Sequence, residues 1–282
     1  MMLIDSHHHL WKYSTEEYGW INDQMEPLRA DFLLPELREI AAHSQVDGFV
    51  SVQARQNLQE TEDLLAMART EPLISGVVGW VPLADSNISQ VLDRLSDQSM
   101  LKGVRHVVQD EPDDRFILGP DFNRGVSELK GRGLVYDVLI FARQLPASIE
   151  FVDQHPDLTM VLDHIAKPTI TDAAFDKQWE TDFRELAKRE NISCKFSGVV
   201  TEIREDSWSM DQIRRYWDVA LQAFTPDRLM FGSDWPVCLL KTEHRQWVNA
   251  VRELAGELSQ TEQSKLFSAN AIRDYNLNVE SI

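Results

Sequence analysis

Met2-Leu3-Ile4-Asp5-Ser6-His7-His8-His9-Leu10-Trp11 reads as a short apolar strand that runs into three histidines and then into an aromatic segment. Side chains alternate across a strand, so His7 and His9 point to one side and His8 to the other. Two neutral imidazoles converging on one point make half of a metal site, or a pair of donors aimed at a substrate oxygen. The run sits inside the Met2-Leu3-Ile4 strand pattern with nothing Gly- or Ser-rich to detach it. It is therefore read as part of the fold and not as a tag. The question it poses for the rest of the chain is whether later strands also end in reactive side chains.

Working outward, short runs rich in β-branched residues recur at 3–7, 48–53, 74–81, 102–107, 135–141, 159–163, 192–197 and 228–231. Most are continuous apolar runs, as parallel strands covered by helices require. Helix-period stretches separate them at 34–43, 58–71, 88–98, 122–132, 144–155, 175–189 and 210–224, with a final pair at 243–258 and 261–276. Ser89 or Asp85 is the expected cap of one helix, and Pro120-Asp121 the start of another. Eight strands each followed by a helix predict an α/β fold, a (β/α)8 TIM barrel, as a single domain over 1–282. A doubly wound open sheet is the competitor, disfavoured because no glycine-rich phosphate-binding signature follows the first strand. The longest irregular segment, 10–33, carries Trp11, Tyr13, Tyr18 and Trp20 directly after the histidines. It is read as a lid or pocket wall, with a plug for the barrel end as the plainer alternative.

Bulk composition narrows the function. Apolar residues make up 43% of the 282, enough for a large core. Lys plus Arg number 28 against 46 Asp plus Glu, a net charge of −18. That sign argues against nucleic acid or an anionic membrane as partner, and so against a metal-dependent nuclease. Cys194 and Cys238 are far apart and form no CxxC, which fits a reducing cytoplasm and argues against a disulfide framework or thiolate zinc site. No basic-then-apolar leader and no apolar run of membrane-spanning length is present. The expected partner is a small molecule, and self-association is left open.

In a (β/α)8 barrel the active site lies at the carboxyl ends of the strands. Reactive residues collect there: His7 and His9, Gln53-Ala54-Arg55, Trp80, Arg105-His106, Asp163-His164 with Lys167, Lys195 and Ser197, and Ser233-Asp234-Trp235. Each alone has a bland reading; His164 by itself reads as a bonded core histidine, and an Asp before Trp-Pro as a helix cap. Their joint placement on one rim carries the weight.

The opening His-x-His, Leu162-Asp163-His164-Ile165-Ala166-Lys167-Pro168 and Phe231-Gly232-Ser233-Asp234-Trp235-Pro236 resemble the amidohydrolase superfamily, in its amidohydrolase-related branch of lactonases and decarboxylases. Gly79-Trp80-Val81-Pro82-Leu83, Lys102-Gly103-Val104-Arg105-His106 and the stretch 266–275 extend the resemblance over nearly the whole chain. It is most similar to sugar-lactone hydrolases of the L-fuconolactonase type, with 2-pyrone-4,6-dicarboxylate lactonases sharing the layout. The resemblance implies a barrel of the metal-dependent hydrolase type, with metal ligands at His7, His9, His164 and Asp234. The bridging lysine and strand-five histidine of binuclear members have no counterpart here. The expectation is therefore one divalent ion, Zn²⁺, or none, since some lactonases of this branch work without metal.

The function this implies is hydrolysis of a sugar (aldono-) lactone. Asp234 serves as general base, and Arg105 and His164 complete the catalytic set. His106, Gln53, Trp80, Lys167 and Trp235 are the expected substrate contacts, and Cys238 is structural. A dicarboxylate substrate would need a second cationic clamp beside Arg105, for which Arg55 and Arg143 are candidates. The alternatives are a pyrone-dicarboxylate-like lactonase, a zinc-dependent decarboxylase, and a catalytically silent barrel that binds metal or sugar acid.

Overall fold

The computed structural model describes residues 1–278. Its eight strands are β1 (Ile4–His8), β2 (Gly48–Val52), β3 (Ile74–Gly79), β4 (Leu101–Val107), β5 (Val135–Leu139), β6 (Met160–Leu162), β7 (Ile192–Phe196) and β8 (Leu229–Phe231). They form one sheet in sequence order, every neighbouring pair parallel. Each is followed by a helix: α1 (Leu34–Ser44), α2 (Leu58–Ala68), α3 (Ile88–Arg94), α4 (Pro120–Lys130), α5 (Leu145–Gln154), α6 (Lys177–Leu186), α7 (Met210–Arg228) and α8 (His244–Leu254). All eight expected strands are found within a few residues of their expected bounds. Parallel neighbours need long crossovers, and helices with apolar faces supply them. No helix among the described residues is long and apolar enough to cross a membrane.

Local chemistry sets the helix starts. Ser209 and Gln212 cap α7 reciprocally: the Gln212 N–H donates to Ser209 Oγ (3.3 Å) and the Ser209 N–H to Gln212 Oε1 (2.8 Å). Asn57 caps α2 by accepting from the Glu60 N–H (2.8 Å). Pro120 opens α4 as expected, where its missing N–H costs nothing. Neither Ser89 nor Asp85 caps α3. Asn87 stands at that position without a side-chain bond, and the Asp85 carbonyl takes the Ile88 N–H within a turn (3.3 Å).

The barrel closes between β1 and β8, where β8 is too short for a full ladder. The Asp234 N–H donates to the His7 carbonyl (2.8 Å) and the His9 N–H to the Trp235 carbonyl (2.7 Å). Side chains complete the seam. Ser6 Oγ donates to the Phe231 carbonyl (2.6 Å), and Asp5 Oδ1 accepts from the Ser233 N–H (2.8 Å). Below, the barrel interior is apolar: Ile4, Val50, Val52, Val78, Val135, Val161 and Met230 pack against Tyr275 and Leu277 of the last segment. The carboxyl-end side of that layer is where the buried polar residues gather.

Candidate active site

Four side chains from three strand ends meet at the top of the barrel. His7 and His9 come from the end of β1, His164 follows β6, and Asp234 follows β8. Asp234 Oδ1 lies 3.3 Å from His9 Nε2, 3.7 Å from His7 Nε2 and 3.9 Å from His164 Nε2. The two β1 nitrogens are 3.3 Å apart. All four residues are buried.

The backbone reaches this arrangement through conformations that L-residues rarely adopt. His164, Ile165, Ala166 and Lys167 have φ of 53°, 48°, 60° and 47°, a single left-handed turn, and Asp234 has φ 59°. Such turns cost roughly 1–2 kcal/mol per residue and persist only where surroundings impose them. Here the Trp179 indole N–H holds the Ile165 carbonyl (2.7 Å), and Ile165 and Ala166 are fully buried. The turn sends both His164 and Lys167 to the cavity. Gly198, at φ 62°, lies behind: a Cβ there would come within 2.7 Å of His164 Nδ1 and 3.0 Å of Asp234 Oδ2.

Proton bookkeeping exposes what the cluster lacks. His9 Nδ1 donates to the Val52 carbonyl (2.8 Å), which only accepts, so the neutral ring leaves Nε2 bare. His7 Nδ1 lies between Asp163 Oδ1 (3.2 Å) and the Lys195 ammonium (3.3 Å), and its Nε2 faces the Arg105 guanidinium (3.3 Å), which only donates, so Nε2 is read as the bare nitrogen. Burial lowers the His7 imidazole well below its ordinary range, against the pull of Asp163, and lowers His164 to about 4. Burial would raise the Asp234 carboxyl, yet the imidazoles of His164, His9 and His7 more than offset it and hold it below the usual carboxylate range. Two bare nitrogens and a carboxylate oxygen therefore point at one another, and only a cation among them makes every contact attractive. Ligand atoms about 2.0 Å from a tetrahedral zinc lie about 3.3 Å apart. The His7, His9 and Asp234 set matches that spacing and fits one small divalent ion, with its far-side nitrogens already oriented.

A second cation contests one ligand. Arg105 Nη1 lies 3.3 Å from His7 Nε2 while donating to Asp163 Oδ2 (2.9 Å). Arg105 Nη2 donates to the Gln53 carbonyl and to its Oε1 (3.0 Å). Beneath, Lys195 Nζ contacts Asp137 (2.6 Å) and Asp163 (3.0 Å), and the Tyr275 hydroxyl donates to Asp137 (2.8 Å). Burial raises Asp163, but Lys195, His7 and Arg105 together bring it well below its ordinary value. Two carboxylates thus match two fixed cations under the site. Asp137 and Tyr275 are not foreseen from the sequence, and Asp163 and Lys195 only as rim residues. Their signal is there: a lone Asp inside Val135-Tyr136-Asp137-Val138-Leu139 and a lone Lys inside Ile192-Ser193-Cys194-Lys195-Phe196 each demand a buried partner.

Above the cluster a cavity of about 510 Å³ opens to solvent. His9, His164, Asp234, Arg105, Gln53 and Lys167 all line it, as expected of them, and Arg55 joins them. Three expected contacts do not. His106 follows Arg105 on β4, and alternation turns it outward, where it bonds Glu111 (2.6 Å) and stacks on Phe116. Trp235 follows Asp234 and packs with His8 and Phe32 instead. Trp80 lies past the end of β3 with its backbone N–H and carbonyl both bonded to the Thr61 hydroxyl (2.8 Å each). His8 points away from its two neighbours and bonds Ser51 Oγ (2.8 Å). Arg143 pairs with Asp114 (2.8 Å) and does not line the cavity, and Cys238 is buried. The Lys167 ammonium lies 5.6 Å over the Phe141 ring and makes no ion pair among the described residues, and the Gln53 Nε2 donor has no hydrogen-bond partner.

The family model described as "Amidohydrolase" matches residues 4–277. The chain is 40% identical to an L-fucono-1,5-lactonase of Burkholderia multivorans, over 97% of its length and 96% of that protein's. It is 28% identical to an L-fucono-1,5-lactonase of Burkholderia ambifaria, over 97% and 95% of the two lengths. The crystal structure of an amidohydrolase from Burkholderia multivorans with bound zinc superposes with a TM-score of 0.93 at 38% identity, covering 99% of this chain and 100% of that one.

Proposed function

The chain belongs to the amidohydrolase family, and from that premise we propose that it is a hydrolase opening a sugar lactone, of the L-fucono-1,5-lactone kind, to the sugar acid. The observation that carries this reading is Asp234, ringed by three imidazole nitrogens at the floor of a solvent-open cavity with Arg105 beside it. Asp234 takes a proton from a water that attacks the lactone carbonyl carbon, then returns it to the ring oxygen as the C–O bond breaks. Negative charge builds on the former carbonyl oxygen, and Arg105 is the fixed cation nearest the cluster to meet it. The unpartnered Gln53 Nε2 and the Lys167 ammonium bind the hydroxyls. His164, held at Nδ1 by Ser197 Oγ (2.9 Å), keeps Asp234 oriented.

His7, His9, Asp234 and His164 are the residues that would hold one divalent metal, zinc by analogy with the relative that carries it. Such an ion supplies Lewis acidity toward the carbonyl oxygen and acidifies water. The segment 10–33 is read as a pocket wall of the same domain as the strand ends, since its Glu17, Gly19 and Trp20 line the cavity. A cytoplasmic location is part of this reading, supported by the two unpaired cysteines, Cys194 and Cys238. A dicarboxylate is the weaker substrate, because two of the three cavity cations are already matched, Arg55 by Glu17 (2.8 Å) and Arg105 by Asp163 (2.9 Å), which leaves Lys167 alone to meet two carboxylates.

A pH-indicator screen over aldono-1,4- and 1,5-lactones, with pyrone dicarboxylate and simple amides as controls, tests the reading. Turnover confined to aldonolactones is expected. Turnover of none of them, by enzyme with or without added zinc, would overturn it.

A further inference from the structure

We infer that Trp20 is the platform on which the sugar ring rests, and that it sets the preference for sugar lactones over plain ones; the inference rests on the lactonase reading above. Trp20 is 38% exposed, and among the described large apolar residues only it and Met1 are exposed. It lines the catalytic cavity. Its ring stands perpendicular to Trp11 (centroids 5.8 Å apart, 90°) and stacks on no other aromatic ring among the described residues.

The wall that carries Trp20 is anchored. Trp11 and Phe32 exchange backbone hydrogen bonds (2.8 Å each) that clip the segment's ends together, and the Trp11 indole N–H donates to the Ala30 carbonyl (3.0 Å). Arg55, from the β2–α2 loop, pairs with Glu17 (2.8 Å) and lies 5.0 Å over the Tyr18 ring. An exposed indole set against the buried Trp11 ring, on a wall anchored at Trp11, Phe32 and Glu17, presents a preorganised apolar surface to a polar cavity. A sugar lactone has matching faces: hydroxyls and carbonyl for the polar floor, and polarised C–H groups for the negative face of an aromatic ring. A ring of the same size without hydroxyls is small, gains less from ordered stacking and is less dependent on this wall.

The test compares the native chain with Trp20→Ala and Trp20→Phe on L-fucono-1,5-lactone and on δ-valerolactone. For Trp20→Ala the ratio of the two kcat/KM values is expected to fall about tenfold, mainly through KM for the sugar lactone, with Trp20→Phe recovering most of it. Equal losses on both lactones, or no loss, would overturn the inference. Calorimetric binding of the corresponding sugar acid reads the same residue without turnover, and Trp20→Ala is expected to weaken it about tenfold. If the native chain opens no lactone yet binds the acid through Trp20, the lactonase reading fails and the platform stands. If lactones are opened but neither ratio nor acid affinity depends on Trp20, the platform fails alone, and failure of both assays in the native chain overturns both.

Discussion

His9 shows how much one hydrogen bond decides. Its Nδ1 is committed to the Val52 carbonyl, so its Nε2 lone pair faces Asp234 and His7 with no proton between them. The site is therefore built for a cation, and Arg105 competes with a metal for the lone pair of His7. Arg105→Ala is expected to tighten zinc binding about tenfold or more, by removing a like charge at close range. Competition against a chelating dye measures it, and unchanged or weaker zinc affinity would refute the competition. The strand ends that carry these residues are legible from the sequence; which neighbour at each end faces inward is not. Arg105 and His106 are adjacent, as are Asp234 and Trp235, and only the register of the barrel decides that the first of each pair looks into the cavity. Asp163 and Lys195 stay half-hidden for another reason: a buried ion pair joins residues far apart in sequence, and only the barrel brings them together.

Among elements, the left-handed turn His164–Lys167 carries the largest burden and has no sequence signature, since it contains no glycine. Its shape is imposed by the Trp179 bond to Ile165 and by the space that Gly198 leaves empty. Gly198→Ala is expected to destabilise the fold by about 1–3 kcal/mol and to cut activity further than that loss explains, by displacing His164. Urea unfolding alongside kinetics checks this; wild-type stability and activity together would contradict it. The β2–α2 loop has its own tension. Glu60 accepts from the Ala54 and Arg55 N–H groups (3.0 and 2.7 Å), yet burial outweighs these bonds and pushes its carboxyl up to about 7. The native chain then holds a proton that the unfolded chain has lost between pH 4.5 and 7, so Glu60 lowers stability as pH rises through that window. The stability of Glu60→Gln relative to the native chain is expected to climb across the same window and then level off. A flat difference would show that Glu60 is not desolvated in solution.

At the scale of the whole molecule, an acidic surface of net charge −18 encloses a cavity whose walls carry Arg105, Arg55 and Lys167. Two of those cations are matched by carboxylates and one is free, an arrangement suited to a neutral, oxygen-rich substrate. The barrel was legible as a whole because eight apolar runs alternate with helical ones, a pattern that tolerates errors of a few residues at each boundary. The interior layering was not: apolar base, ion-paired middle and catalytic top emerge only when strands far apart in sequence face one another. All of this converges on one carboxylate. The most direct measurement is the rate of L-fucono-1,5-lactone hydrolysis by the native chain and by Asp234→Asn, with thermal unfolding confirming that both are folded. The account predicts a loss of about 10³-fold in kcat for a folded variant, and hydrolysis by folded Asp234→Asn within about tenfold of the native rate would contradict it.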